Sequence, residues 1–170
     1  MTSDGAGGES RASRKSRSVS IRIIGLGNEL RGDDAVGILM ARRLRQEIGD
    51  RVEVVEAEMA GVDLVELMNG ADVAILIDAA RSGQAPGTIH RLDASADSIS
   101  GPVFPHSSHA IGTADALELA RAMGVLPATV IVYGVEAENT EAGQRLSPPV
   151  AKALNQVVAR IVQDCEACCA

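Results

Sequence analysis

The chain has 170 residues, 46% of them hydrophobic, with one Phe, one Tyr and no Trp. That is enough for one domain with an aliphatic core packed from Val, Ile, Leu, Ala and Met. A formal net charge of -7 at pH 7 argues against a nucleic-acid partner, since phosphate contacts call for a basic face; no apolar run nears the roughly 20 residues of a membrane span.

Residues 1–18 are rich in Gly, Ser and Arg and have no apolar centre. They read as a disordered polar tail and not as a secretory signal. The apolar run Val19 to Ile24 predicts a strand, and Gly25-Leu26-Gly27 turns out of it. Asp34 to Ile48 carries Val36, Met40, Leu44 and Ile48 at helical spacing and stops at Gly49. Val52 to Ala57 predicts a second strand and Val62 to Met68 a short helix. Val73 to Ile77 is apolar throughout, as in a strand covered on both faces. The turn signal Ala85-Pro86-Gly87 leads into Thr88 to Leu92, whose alternation suits an edge strand. A helix over His109 to Met123, a strand over Thr129 to Val135 and a helix over Val150 to Val162, opened by Pro148 and Pro149, complete the order.

The order β-α-β-α-β-β-α-β-α predicts a single three-layer α/β domain over residues 19–163. Its twisted, mainly parallel five-stranded sheet has one antiparallel edge strand and helices on both faces. All three cysteines, Cys165, Cys168 and Cys169, fall in the remaining stretch, 164–170. No second ligand pair stands at zinc-finger spacing, so this stretch reads as a terminal tail. The absence of cysteine elsewhere, together with the missing signal, suits the cytoplasm.

The chemistry-bearing residues gather where strands end. Asp33 and Asp34 follow the first strand and Asp78 ends the third. If these strands are parallel neighbours, Asp34 and Asp78 face each other at one rim of the sheet, where open α/β sheets place their ligands. His109, opening a helix, is a third candidate on that rim, with His106 as its competitor. Two carboxylates and an imidazole suit a divalent transition metal; two carboxylates alone suit general acid/base work. Asp34 also fits a plain helix cap. Asp78, closing an apolar run, is expensive to desolvate without a partner. Gly25-x-Gly27 lacks the third glycine of a dinucleotide fingerprint, because Leu30 stands there.

The run Gly25-Leu26-Gly27-Asn28-Glu29-Leu30-Arg31-Gly32-Asp33-Asp34-Ala35-Val36-Gly37 resembles the amino-terminal signature of the hydrogenase maturation endopeptidases. Leu76-Ile77-Asp78-Ala79, Ala85-Pro86-Gly87-Thr88, Ser108-His109-Ala110-Ile111-Gly112, Val132-Tyr133-Gly134-Val135-Glu136 and Leu146-Ser147-Pro148 are similar to its later motifs, in order. The resemblance implies an endopeptidase that trims the carboxyl-terminal extension of a nickel-iron hydrogenase large-subunit precursor. It implies metal contacts from Asp34, Asp78 and His109, with Asp34 and Asp78 as the catalytic acids. Gly25, Gly27, Asn28 and Asp33 would shape the supporting loop. The nickel is supplied by the precursor, another divalent metal being able to take its place, and the enzyme is expected to act as a monomer. The alternative is a checkpoint protein that binds nickel-loaded precursor without cutting it. The chain departs from the common pattern at Asp34, where many members have Glu. It departs again after the second strand, where Glu56-Ala57-Glu58-Met59-Ala60-Gly61 keeps only one of the usual paired glycines.

Overall fold

The computed structural model describes residues 18–58, 61–96, 98–99 and 112–169. Along them run β1 (Ile21–Leu26), α1 (Val36–Ile48), β2 (Glu53–Ala57), α2 (Gly61–Met68), β3 (Val73–Ala80), β4 (Ile89–Asp93), α3 (Thr113–Ala122), β5 (Thr129–Glu136) and α4 (Pro148–Cys169). The strands form one sheet in the order β2-β1-β3-β5-β4. The first four in that order run parallel, and β4 pairs antiparallel with β5 at the edge. This is the α/β architecture that alternating strands and helices predict.

Successive residues of a strand point to opposite faces, and both faces of the central strands are covered. Ile23, Ile75, Ile77 and Tyr133 pack with Val36, Met40 and Leu44 of α1 and Val157 and Ile161 of α4. Ile24, Leu76 and Val132 pack on the other face with Leu64 and Met68 of α2 and Leu117 of α3. Burying each large aliphatic side chain stabilises the fold by about 1.5–3 kcal/mol.

Three elements depart from the predicted bounds. Pairing of β3 with β5 continues to Ala80 opposite Glu136, so Asp78 lies within the strand, beside Gly134, and does not end it. The helix predicted from His109 is seen from Thr113, with Gly112 extended before it; residues 109–111 lie outside the described residues, as do 1–17 of the polar tail. The stretch read as a cysteine-bearing tail continues α4 to Cys169. The cause is an unbroken apolar stripe at four-residue spacing, Val157, Ile161 and Cys165, all buried in the core. Asp164, on the same helix, accepts the Tyr133 hydroxyl proton at 2.6 Å and pairs with Arg91 at 3.0 Å, fastening the helix end to β4 and β5. Burial, then the Asp164 carboxylate, pushes the Tyr133 hydroxyl pKa up to about 12.

Helix α1 rests on the sheet backbone to backbone. A methyl group at Gly37 would stand 2.2 Å from the Leu26 carbonyl oxygen and 2.4 Å from that of Ile77; one at Gly25 would stand 2.2 Å from the Gly37 carbonyl oxygen. Those atoms are main chain and cannot step aside. Gly37→Ala is therefore expected to lower stability by about 3 kcal/mol, the upper end for overpacking, read as a lower urea midpoint. A variant with the parent's midpoint would show that the helix can lift.

Candidate active site

β1 sends the chain to β2 on one side, through α1, and then to β3 on the other, through α2. The crevice between the ends of β1 and β3 is the topological switch point, the usual ligand position in such sheets. The β1–α1 loop rises over it. Gly27 bends there at φ 135°, and a methyl group on it would fall 1.8 Å from the Asp34 carbonyl oxygen. The Asn28 N–H donates to both the Asp34 carbonyl oxygen at 3.2 Å and Asp34 Oδ2 at 3.1 Å. The Asn28 side chain accepts the Leu30 N–H at 2.9 Å. Asp34 lies within a 3-10 turn over Gly32–Ala35, and neither that turn nor α1 has a side-chain cap. Its carboxylate is thus held by the loop at the rim, partly exposed, and not spent on a helix end.

Asp78 stands across the crevice on β3. Its Oδ2 accepts the Thr113 hydroxyl at 2.6 Å, and its Oδ1 accepts the Ala79 N–H at 2.8 Å. Burial dominates all the same, and with the negative charge of Asp34 it raises the Asp78 pKa to about 6 against those two hydrogen bonds. The two acids are therefore neighbours in the electrostatic sense: the charge of Asp34 makes that of Asp78 harder to keep.

Asp33 has the opposite environment. It is fully buried and accepts the N–H groups of Glu138, Asn139 and Ser147 at 2.8, 3.0 and 2.7 Å and the Ser147 hydroxyl at 2.9 Å. Burial pushes its pKa up, but these bonds outweigh it and hold the carboxyl below the ordinary 3.8. Its stabilising contribution is complete above pH 3.8 and is lost as acid carries the protein through the lowered folded value. A second buried acid on the rim, Glu136, accepts from Ser82 Oγ and the Gly83 N–H, both at 2.8 Å, and stands 3.3 Å from His90 Nε2. It fastens the β3–β4 turn. Arg81 bonds Thr140 across the same rim.

The structure thus brings together Asp34, Asp78, the loop residues Gly27, Asn28 and Asp33, and Gly25, which lies in β1 and not in the loop. His109 and His106 lie outside the described residues. Among the described residues no three His, Cys, Asp or Glu side chains are grouped to hold a metal ion. Glu56, beside the departure after β2, is engaged with Arg42 and Arg45 of α1 at 2.9 and 2.7 Å. Sequence reasoning missed Thr113 as the donor to Asp78; its one visible signal was a small hydroxyl residue just after Gly112.

Fold and site together define a doubly wound α/β protein with two charge-coupled acids at its switch point. The hydrogenase maturation protease (HycI) family model matches residues 36–164. Over 150 residues the chain is 33% identical to the hydrogenase 2 maturation protease of Escherichia coli (strain K12), covering 83% of this chain and 90% of that one. The solved structure of the hydrogenase maturating endopeptidase HybD from E. coli superposes with a TM-score of 0.67 at 30% identity, covering 86% of this chain and 94% of that one. The [NiFe] hydrogenase maturation protease HycI from Thermococcus kodakarensis, at 20% identity and TM-score 0.66 over 87% and 93% of the two chains, shares the fold. The chain belongs to the hydrogenase maturation protease family and is, by that membership, a peptidase.

Two outcomes test the geometry. In carboxyl-carbon NMR the free protein's Asp78 should titrate near pH 6, and Asp34→Asn should move its midpoint down, because a neighbouring negative charge is gone. An unmoved midpoint would mean the two acids do not sense one another. Asp33→Ala strands buried donors and should cost about 3 kcal/mol, with faster amide exchange at Glu138, Asn139 and Ser147.

Proposed function

We propose that this protein is the endopeptidase that removes the carboxyl-terminal extension from a [NiFe] hydrogenase large-subunit precursor, and that nickel already carried by the precursor is what its site recognises. The observation that carries this reading, given the family, is the pair Asp34 and Asp78. Two mutually repelling carboxylates at the switch point are relieved by a shared cation. Among the described residues Asp34 Oδ1 has no hydrogen-bond donor and each oxygen of Asp78 takes one, which leaves lone pairs for a ligand. Asp34 and Asp78, with His109 as the third contact, register the precursor by its metal. No resident metal is needed, because the ion belongs to the substrate.

Holding the scissile bond in place is the larger part of the work; well-oriented groups gain on the order of 7 to 11 kcal/mol. Hydrolysis adds water across one peptide bond. One of the two aspartates accepts the water proton, and the new amine takes a proton as it leaves. Nickel arriving with the substrate supplies positive charge beside the reacting carbonyl. Thr113 and the Ala79 N–H keep Asp78 aimed into the crevice throughout. The reading carries with it the cytoplasmic location and monomeric state expected from the sequence.

The test is the mass of precursor incubated with this protein, with and without nickel. The parent is expected to shorten only nickel-loaded precursor. Asp78→Asn should retain the circular dichroism of the parent and lose at least about a thousandfold in rate, on the scale of removing an acid or base and its positioning. Equal trimming by Asp78→Asn, or of nickel-free precursor, would overturn the assignment. A stable complex with no loss of mass would mark a checkpoint binder.

A further inference from the structure

Leu30 is 72% exposed on the loop that carries Asp34. Its backbone is pinned on both sides. The N–H donates to Asn28 Oδ1 at 2.9 Å, and the carbonyl oxygen accepts the Gly143 N–H at 2.9 Å. Gly143 belongs to the wall of a cleft of about 750 Å³ in the segment between β5 and α4, with Glu138, Asn139, Arg145 and Ser147. The cleft and the loop are locked together. Asp33 takes the amides of Glu138, Asn139 and Ser147, and its own N–H donates to the Asn139 carbonyl oxygen at 2.8 Å. Gly32 packs so closely that a methyl group there would stand 2.5 Å from that same oxygen.

A lone exposed leucine is ordinary. This one is bonded through its backbone to Gly143 in the wall of a polar cleft, and stands four residues before a rim carboxylate in the chain. Its backbone surrenders little freedom on binding, which is the condition for a preorganised contact. The cleft has room for a few residues of extended peptide, and its mixed lining of Glu138, Glu141 and Arg145 suits peptide more than a small apolar molecule. We infer that Leu30 is an apolar anchor for the precursor: an extended segment near the scissile bond lies along this cleft and sets an apolar side chain against Leu30. The inference rests on the processing function proposed above and adds where the peptide runs.

The experiment measures initial cleavage rates of nickel-loaded precursor by the full chain and its Leu30→Ser and Leu30→Met variants. Leu30→Ser is expected to raise KM about tenfold or more, the scale of one lost leucine contact. Its kcat should stay within about twofold, as for an interaction made equally in ground and transition states, and its Tm should match the parent. Leu30→Met should return KM close to the parent value. An unchanged KM in Leu30→Ser, or a fall in kcat alone, would overturn the anchor. A parent chain that leaves the precursor uncut would sink the processing function instead. The anchor is then read separately from the Leu30 methyl NMR signals, assigned by their loss in Leu30→Met. They should shift on adding precursor, and unshifted signals would overturn it.

Discussion

Asp33 takes its hydrogen bonds from residues 105 to 114 positions further along the chain. A buried carboxylate without such partners would cost several kcal/mol, so the β1–α1 loop and the segment before α4 order together. Everything described at the rim depends on that closure. It sets the height of Asp34, which follows immediately. It brings Gly143 against Leu30 and gives the adjoining cleft a fixed wall. The rim is therefore assembled by a charge that never meets solvent, next to one that does.

Three acids on one rim meet two fates. Asp33 and Glu136 have enough donors to outweigh burial, and both carboxyls are held below their ordinary values. Asp78 has two donors, which do not outweigh burial and the charge of Asp34. The first two acids are structural fasteners. Asp78 is left with unmet demand for positive charge, and the protein holds it in that condition before any partner arrives. Such preorganisation is where electrostatic work in enzymes is usually stored.

Much of this was legible in the chain. Apolar runs locate the parallel strands to within a few residues, since central strands must be apolar on both faces, and alternation after a turn signal locates β4. Asp34 and Asp78 stood out because acids next to such runs are costly. What periodicity could not give was partnership across long separations. Nothing local distinguishes Asp33 from Asp34, yet one is buried under distant amides and the other faces the crevice. The extra pairs of β3 depend on β5 continuing beside it. The terminal-tail reading of residues 164–170 overlooks that Cys165 behaves as a small apolar residue completing the α4 stripe. Thr113 carries no local signal of its role, because the strand that presents Asp78 to it lies 35 residues away in the chain.

The seating of α1 has a consequence for how such a protein diversifies. With Gly37 and Gly25 in main-chain contact, the gap between helix and sheet is set by atomic radii, not by side-chain choice. It offers no dial for retuning. Room for changing substrate preference lies in the surface segments above the strand ends, because the helix-to-sheet spacing beneath them is fixed at Gly25 and Gly37. Anyone retargeting this scaffold would graft those segments as a linked pair, since Asp33 binds one to the other.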